Sequence, residues 1–133
     1  MENFMYLSKF TDYSFRILIY LGNHPNQLFT VYELSNILNL STNHIKKITY
    51  NLVKNGYIVS SKGRNGGIKL IKSPEEINLC DVFETTEENL NLVECFSNME
   101  CGLIKPCKLK PIFNESLNLF KLNLSKYTLK DIL

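Results

Sequence analysis

Three of the four cysteines fall in one short segment and could together bind a metal centre. Cys95, Cys101 and Cys107 have five residues between neighbours, in a stretch that contains glycine and proline. Structural zinc sites usually show Cys-x-x-Cys pairs and four protein ligands, and that pattern is absent. Three cysteines with a fourth ligand from elsewhere suit an iron–sulfur cluster, the alternative being three unrelated reduced thiols. Cys80 stands apart in an apolar stretch and is predicted to be a buried small hydrophobe.

A basic segment in the first half of the chain is the second candidate for chemistry. Residues 41–72 hold seven lysines and arginines and no acidic residue, whereas residues 81–100 hold six acidic residues and neither Lys nor Arg. The whole chain has a net charge of only +2, so this contrast is local. A surface of this kind contacts phosphates in nucleic-acid-binding proteins, although an ordinary solvated face would carry the same charges.

Two helical patterns joined by a short turn predict a helix-turn-helix over residues 32–55. Thr30 and Glu33 form a capping box at the start of the first helix, and the second helix begins at about Ser41. Gly56 is expected to end the second helix in a left-handed conformation. Four apolar residues of the second helix recur on one face and are expected to point into the core: Ile45, Ile48, Leu52 and Val53.

The outward face of the second helix is rich in hydrogen-bond donors and cations and carries no carboxylate. Asparagine can read a base edge with two hydrogen bonds, and lysine reaches phosphates or guanine. A β-hairpin, or wing, is predicted over residues 57–71, with a turn between strands 57–61 and 68–71. A basic wing tip suits the minor groove of A·T-rich DNA. The candidate DNA-contacting residues are Thr42, Asn43, His44, Lys46, Lys47, Tyr50, Arg64 and Asn65.

Helical patterns at the two ends of the chain predict surfaces that need a neighbour. A first helix, capped by Ser8 and running to Asn23, has apolar residues on two faces, so one face could meet another chain. A long helix with a wide apolar stripe indicates a dimer interface, unless it folds back on its own core. The stripe consists of Leu109, Phe113, Leu117, Phe120 and Leu124.

The predicted fold class is therefore mainly α with a small β-hairpin: a winged helix-turn-helix plus a long C-terminal dimerisation helix. The predicted boundaries are a DNA-binding domain over 1–90, a cluster-binding loop over 91–107, a dimerisation helix over 108–127 and a tail over 128–133.

Length and composition restrict the class of protein further. A chain of 133 residues, 44% of them apolar, makes one domain, or one with an extension, and buries a core without obligatory disulfides. No apolar run reaches the ~20 residues of a membrane span, and the N-terminus lacks a secretory signal, so we expect a cytoplasmic protein without membrane contact. An enzyme is not expected, because neither a nucleophile–base pair nor a phosphate-binding glycine loop is found.

Short motifs follow in a recognisable order along almost the whole chain. They are Phe10-Thr11-Asp12-Tyr13 with Arg16, Asn43-His44, Gly56-Tyr57-Ile58, Gly63-Arg64-Asn65-Gly66-Gly67-Ile68, Leu92-Val93, Cys95, Pro106-Cys107-Lys108-Leu109 and Tyr127-Thr128-Leu129. This set resembles the winged-helix iron–sulfur transcriptional regulators of the IscR/NsrR type, and within them the nitric-oxide-sensing repressors. Lys110 stands where IscR-like proteins have a histidine ligand, and Thr42 and Lys62 stand where many relatives have arginine.

The resemblance implies a homodimer that binds operator DNA and one iron–sulfur cluster per subunit. Cys95, Cys101 and Cys107 would bind iron, with the partner's Asp12 as fourth ligand. A 4Fe–4S cluster is favoured and 2Fe–2S is the alternative. Nitric oxide would attack the cluster, release the DNA and so induce genes that detoxify nitric oxide. From the residues alone, Asp12 would form a surface ion pair with Arg16, four residues later.

Two other functions stay open at this point. A regulator of the same fold could sense iron or cluster supply. A redox or cluster-carrier protein could use the winged domain to bind another protein, although the basic segment argues against this.

Overall fold

The computed structural model describes residues 6–88, 90, 102 and 107–133. Cys95, Cys101 and most of the predicted cluster-binding loop lie outside these residues. In chain order the elements are α1 (Lys9–Asn23), α2 (Val31–Leu38), α3 (Thr42–Lys54), β1 (Ile58–Ser61), β2 (Gly67–Leu70), α4 (Leu79–Thr86) and α5 (Leu109–Leu124), with 3₁₀ turns at Pro74–Glu76 and Leu129–Ile132. These helices and one antiparallel hairpin confirm the predicted fold class.

The first helix begins where the sequence predicts. Ser8 is the N-cap of α1, and its hydroxyl accepts a hydrogen bond from the Thr11 N–H at 3.2 Å. The core-facing side chains are buried: Ile17, Leu18 and Leu21. The second apolar face, around Phe15 and Ile19, is half-buried and packs in part against the same core.

The predicted helix-turn-helix is formed by α2 and α3. The Glu33 N–H donates to the Thr30 hydroxyl at 3.1 Å, and the Thr30 N–H donates to the Glu33 carboxylate at 3.3 Å, which completes the capping box. Asn39 ends α2 in the left-handed region, with φ of 54°, and Ser41 then caps α3. Both ends of the turn are therefore specified by neighbouring residues.

The end of α3 confirms the role predicted for Gly56. Its φ is +79°, and the Tyr57 N–H donates to the Leu52 carbonyl while the Gly56 N–H donates to the Val53 carbonyl, both at 3.0 Å. This pair of bonds is a Schellman motif. It turns the chain sharply from α3 into the wing.

The prediction that Val53 faces the core is wrong. Its side chain is 40% exposed, because it lies about 100° around the helix from the buried Leu52. Thr49 is buried instead, one turn before Val53. The Thr49 hydroxyl donates to the Ile45 carbonyl at 2.8 Å, which allows a polar side chain to occupy a core position.

The wing is attached to the core by a contact that the sequence did not predict. β1 and β2 pair from Ile58 opposite Leu70 to Ser61 opposite Gly67, within one residue of the predicted strands. The Phe29 N–H donates to the Ile68 carbonyl at 3.0 Å, and the Ile68 N–H donates to the Phe29 carbonyl at 2.8 Å. The loop between α1 and α2 thus pairs with the second strand.

The C-terminal residues return to the core of the winged domain. Leu129 is fully buried, and its N–H donates to the Ile77 carbonyl at 2.8 Å. The Leu79 N–H donates to the Tyr127 carbonyl at 3.0 Å. Helix α5 itself contains no buried residue. In the part of the chain that the structure describes, no helix combines the length and apolar character of a membrane span.

Candidate nucleic-acid interface and metal-ligating residues

Helix α3 presents its predicted DNA-contacting residues to solvent. Its buried face, which includes Ile45 and Ile48, fixes the rotation of the helix about its own axis. Thr42, at the start of the helix, is half-buried. The exposed residues are Asn43, His44, Lys46, Lys47 and Tyr50. Amide, ammonium and phenol groups therefore lie together on one face, with the chemistry needed to contact bases and phosphates.

The wing tip holds Arg64 and Asn65 in exposed positions. Gly63 has a φ of +102°, and the Gly66 N–H closes the turn by donating to the Gly63 carbonyl at 3.0 Å. A Cβ at Gly66 would collide with the Ser61 carbonyl, so the tight turn requires glycine there. The two glycines keep the guanidinium of Arg64 at the end of the hairpin.

Asp12 pairs with Arg16 on the exposed side of α1. One carboxylate oxygen accepts from Arg16 Nε at 3.0 Å and the other from Nη2 at 3.0 Å. The two side chains are 46% and 51% exposed, so the carboxylate is accessible from solvent. The ion pair inferred from the residues alone is therefore present in the single chain. Whether Asp12 is also a ligand stays a prediction.

Two further contacts connect this ion pair to α3. The guanidinium carbon of Arg16 lies 5.3 Å from the centroid of the Tyr13 ring. The Tyr13 ring lies 5.7 Å, centroid to centroid, from the ring of His44 in the first turn of α3. Contacts through Arg16 and Tyr13 thus link Asp12 to His44, a predicted DNA-contacting residue.

The two cysteines that the structure describes have different surroundings. Cys80 is buried, and its thiol donates to a Glu84 carboxylate oxygen at 3.4 Å. Burial, followed by the hydrogen bond and charge of Glu84, raises the pKa of Cys80 to about 11, so it stays protonated at neutral pH. The prediction that Cys80 is a buried small hydrophobe is confirmed. Cys107 is half-buried, just before α5.

Two of the predicted metal ligands, Cys107 and Asp12, are among the described residues. Cys107 supplies a solvent-reachable thiol and Asp12 an accessible carboxylate, and both donor types bind cluster iron. Within residues 6–88, 90, 102 and 107–133, no three His, Cys, Asp or Glu side chains lie close enough together to hold a metal. Two of the three predicted thiol ligands are outside these ranges.

Glu87 contacts the start of α1, the helix that carries Asp12, and nothing in the sequence pointed to this contact. It directly follows α4, and one of its carboxylate oxygens accepts hydrogen bonds from Ser8 and Thr11 at the start of α1. These partners lie 76 and 79 residues away in the chain, so no local pattern marks the contact. The sequence showed only an acidic stretch.

Comparison with known proteins identifies the family. The model of the Rrf2 family, described as "Iron-dependent Transcriptional regulator", matches residues 7–133. The chain is 48% identical over 132 residues to the transcriptional regulator NsrR of Halalkalibacterium halodurans, covering 97% of this chain and 90% of that protein. It is 40% identical over 131 residues to NsrR of Bacillus subtilis, covering 96% and 90%. The family resemblance drawn from the motifs is thereby confirmed.

Solved structures agree on the fold. The cysteine regulator CymR of B. subtilis has a TM-score of 0.76 at 20% identity, covering 97% of this chain and 96% of that one. IscR of T. potens has a TM-score of 0.76 at 18% identity, covering 96% and 85%. From the family match and the NsrR relatives, the chain belongs to the Rrf2 family and is a DNA-binding transcriptional regulator, not an enzyme.

Proposed function

We propose that this regulator is a repressor whose binding to operator DNA depends on an iron–sulfur cluster and is abolished by nitric oxide. The genes it controls would be those that detoxify nitric oxide. Support comes from relatives named NsrR at 36% to 48% identity over nearly the full chain. The observation that carries the proposal is the placement of Asp12, an accessible carboxylate joined through Arg16 and Tyr13 to the start of α3.

The proposed ligands are Cys95, Cys101 and Cys107 of one subunit and the partner's Asp12. Four donors fit a 4Fe–4S cluster, with one on each iron, and also a 2Fe–2S cluster, with two on each iron. We favour 4Fe–4S because of the resemblance to the nitric-oxide-sensing regulators. Cys80 is not proposed as a ligand, because it is buried and its thiol donates to the Glu84 carboxylate. When bound, the cluster would supply iron atoms that react with nitric oxide.

The side chains of α1 would transmit the change to the DNA-binding surface. Both oxygens of the Asp12 carboxylate are used by Arg16 in the single chain, so iron and guanidinium compete for the same group. Exchange between these partners would move the Arg16 guanidinium, which lies over Tyr13, and so change the contact of Tyr13 with His44. A coupling free energy of about 3 kcal/mol would change operator affinity roughly a hundredfold.

Two copies of the winged domain would contact the two halves of an operator. Asn43, His44, Lys46 and Lys47 would enter the major groove, and Arg64 with Asn65 the adjacent minor groove. The exposed apolar surface of α5 would hold the two subunits together as a homodimer.

Iron or cluster supply is the second candidate signal. The family model's description as iron-dependent favours it, and the same ligands and the same contacts with DNA would serve. The two signals differ in what releases the DNA, so one experiment separates them.

The test is the visible spectrum and operator binding of protein purified without oxygen. We expect brown protein absorbing near ~400 nm, bound iron and sulfide, and a salt-dependent gel shift that nitric oxide abolishes. Cys101→Ala should lose the colour and the cluster-dependent shift, whereas the matched control Cys80→Ala should keep both. Colourless protein with bound zinc would contradict the proposal. Release by an iron chelator, with no response to nitric oxide, would support the second candidate instead.

A further inference from the structure

The carboxylate of Glu87 joins two parts of the chain that are far apart in sequence. Oε2 of Glu87 lies 3.2 Å from Ser8 N, 3.1 Å from Ser8 Oγ and 2.7 Å from Thr11 Oγ1. The hydroxyl oxygens of Thr11 and Thr86 lie 3.0 Å apart and both residues are buried. One negative charge therefore organises a set of small hydroxyl residues between the end of α4 and the start of α1.

The charge of Glu87 suits this position. The first N–H groups of a helix have no partner within the helix and form its positive end, which favours a nearby anion. Hydrogen bonds to a carboxylate are also shorter and stronger than those between neutral groups. Glu87 therefore holds the first turn of α1 more firmly than the Ser8 cap would alone.

The same turn carries Asp12. The Asp12 N–H donates to the Ser8 carbonyl at 3.0 Å, so Asp12 is hydrogen-bonded to the residue that Glu87 contacts. Glu87 is also the last residue before the segment that leads from α4 towards Cys95. In the chain it therefore stands eight residues before the first of the three proposed cysteine ligands.

We propose that Glu87 is a positioning residue for Asp12, fixing the carboxylate that the partner subunit's cluster uses. The proposal rests on the proposed function, in which Asp12 is a ligand across the dimer. Glu87 is assigned no bond to iron: its Oε2 oxygen accepts hydrogen bonds from Ser8 and Thr11, and its part is to hold the start of α1.

The test compares Glu87→Ala with Glu87→Gln, Asp12→Ala and the double variant, and uses Glu88→Ala as matched control. Glu88 is the exposed neighbour of Glu87, and its substitution by Ala removes the same charge. In cluster-loaded dimers we expect Glu87→Ala to reproduce the shifted visible circular dichroism of Asp12→Ala and to weaken operator binding about tenfold. The double variant should be no weaker than Asp12→Ala, because both changes remove the same contact. Glu87→Gln keeps an acceptor oxygen and should restore part of the native signal.

A second measurement uses the protein without its cluster. Amide hydrogen exchange in the first turn of α1 should be faster in Glu87→Ala than in the native protein or in Glu88→Ala. Native spectrum and native operator affinity in Glu87→Ala, or additive effects in the double variant, would overturn the positioning role even if thermal stability fell. If the native protein itself binds no cluster, the proposed function fails first, and the native spectrum alone shows this.

Discussion

At the scale of single residues, the two described thiols and the Asp12 carboxylate differ in how accessible they are to solvent. Cys80 is enclosed and hydrogen-bonded to Glu84, whereas Cys107 is half-buried next to the start of α5. Asp12 keeps 46% of its side chain exposed although it pairs with Arg16. The alkylation rate of each thiol, and the exchange of Asp12 between Arg16 and iron, can therefore be tested on individual side chains.

The two thiols should differ sharply in alkylation. In cluster-free protein at about pH 7.5, iodoacetamide should modify Cys107 readily and leave Cys80 unmodified. Raising the pKa of Cys80 from 9.0 to about 11 lowers its thiolate fraction about a hundredfold, and burial slows access further. Mass spectrometry of tryptic peptides gives the two rates, with denaturant-unfolded protein as the control in which both react. Equal rates in the folded protein would contradict the buried, protonated thiol.

The same shift predicts how stability depends on pH. The pKa of Cys80 is higher in the folded than in the unfolded chain, so the unfolded state loses its proton first as pH rises. The free energy of unfolding should therefore be unaffected by this group below about pH 9 and should fall between pH 9 and 11. Denaturant titrations of the native protein and of Cys80→Ala isolate this contribution. An identical decline in both would show that Cys80 does not cause it.

Asp12→Ala tests the carboxylate, and Arg16→Ala is its matched variant because it removes the ion pair but keeps the proposed ligand. Asp12→Ala should still assemble a cluster on three cysteines, but with a shifted spectrum, altered nitric-oxide kinetics and weaker operator binding. Arg16→Ala should keep the native spectrum. Thermal stability of the cluster-free protein should change by only a few tenths of a kcal/mol in either, since an exposed i,i+4 pair contributes little. If Asp12→Ala behaves as native protein, Asp12 is only the surface partner of Arg16.

At the scale of elements, the parts of the fold predicted from sequence are those with local causes. The Thr30–Glu33 capping box, the Ser8 cap and Gly56 each act within a few residues, and all three are found where predicted. The bridge between Phe29 and Ile68 and the contacts of Glu87 join distant segments, so no periodicity or spacing in the sequence reveals them.

The candidate DNA-binding surface also has features with local causes and features that depend on distant segments. Which residues lie on the outer face of α3 followed from the helical repeat, and Asn43 and Lys47 are exposed as expected. That Tyr13 of α1 would touch His44 of α3 depends on how the two helices cross, which the sequence does not state.

The exposed face of α3 leads to the next prediction, which concerns DNA binding. Lys47→Ala should weaken binding to all DNA sequences and reduce the slope of log affinity against log salt by about one, because it removes one phosphate contact. Asn43→Ala should instead relax discrimination at one base pair by about 1–3 kcal/mol. Competition gel shifts at several salt concentrations measure both, with Lys126→Ala, beyond α5, as the charge-matched control. Native behaviour of both α3 variants would mean that this helix does not read the operator.

At the scale of the whole molecule, α5 is the element that the single chain leaves incompletely covered. The predicted apolar stripe faces the winged domain in part: Phe120 packs edge-to-face on Phe83 at 5.1 Å, and Leu117 is half-buried. The most exposed apolar side chains lie off that stripe, with Ile112 and Leu119 both 57% exposed and Leu122 58% exposed. The stripe is thus covered only in part within the single chain, with Leu109 50% and Phe120 43% exposed, and the residues beside it add to the surface that a second subunit would cover.

Leu119→Glu should therefore convert the protein from dimer to monomer. Ile112 and Leu119 are seven residues apart and project from nearly the same side of α5, so a charge at Leu119 lies in the middle of the proposed interface and would have to be desolvated there. Because Leu119 is exposed in the single chain, the substitution should leave helix content unchanged and alter the stability of the subunit by no more than about 0.5 kcal/mol. Sedimentation velocity gives the oligomeric state. Ile71→Glu, which alters an apolar side chain 55% exposed outside α5, is the matched control that should remain dimeric.

Loss of the dimer in Leu119→Glu should also lower operator affinity, since a monomer contacts one half-site and loses the second set of phosphate contacts. A dimer that persists in Leu119→Glu would place the subunit contact elsewhere, and the second apolar face of α1 around Phe15 and Ile19 would be the next surface to test.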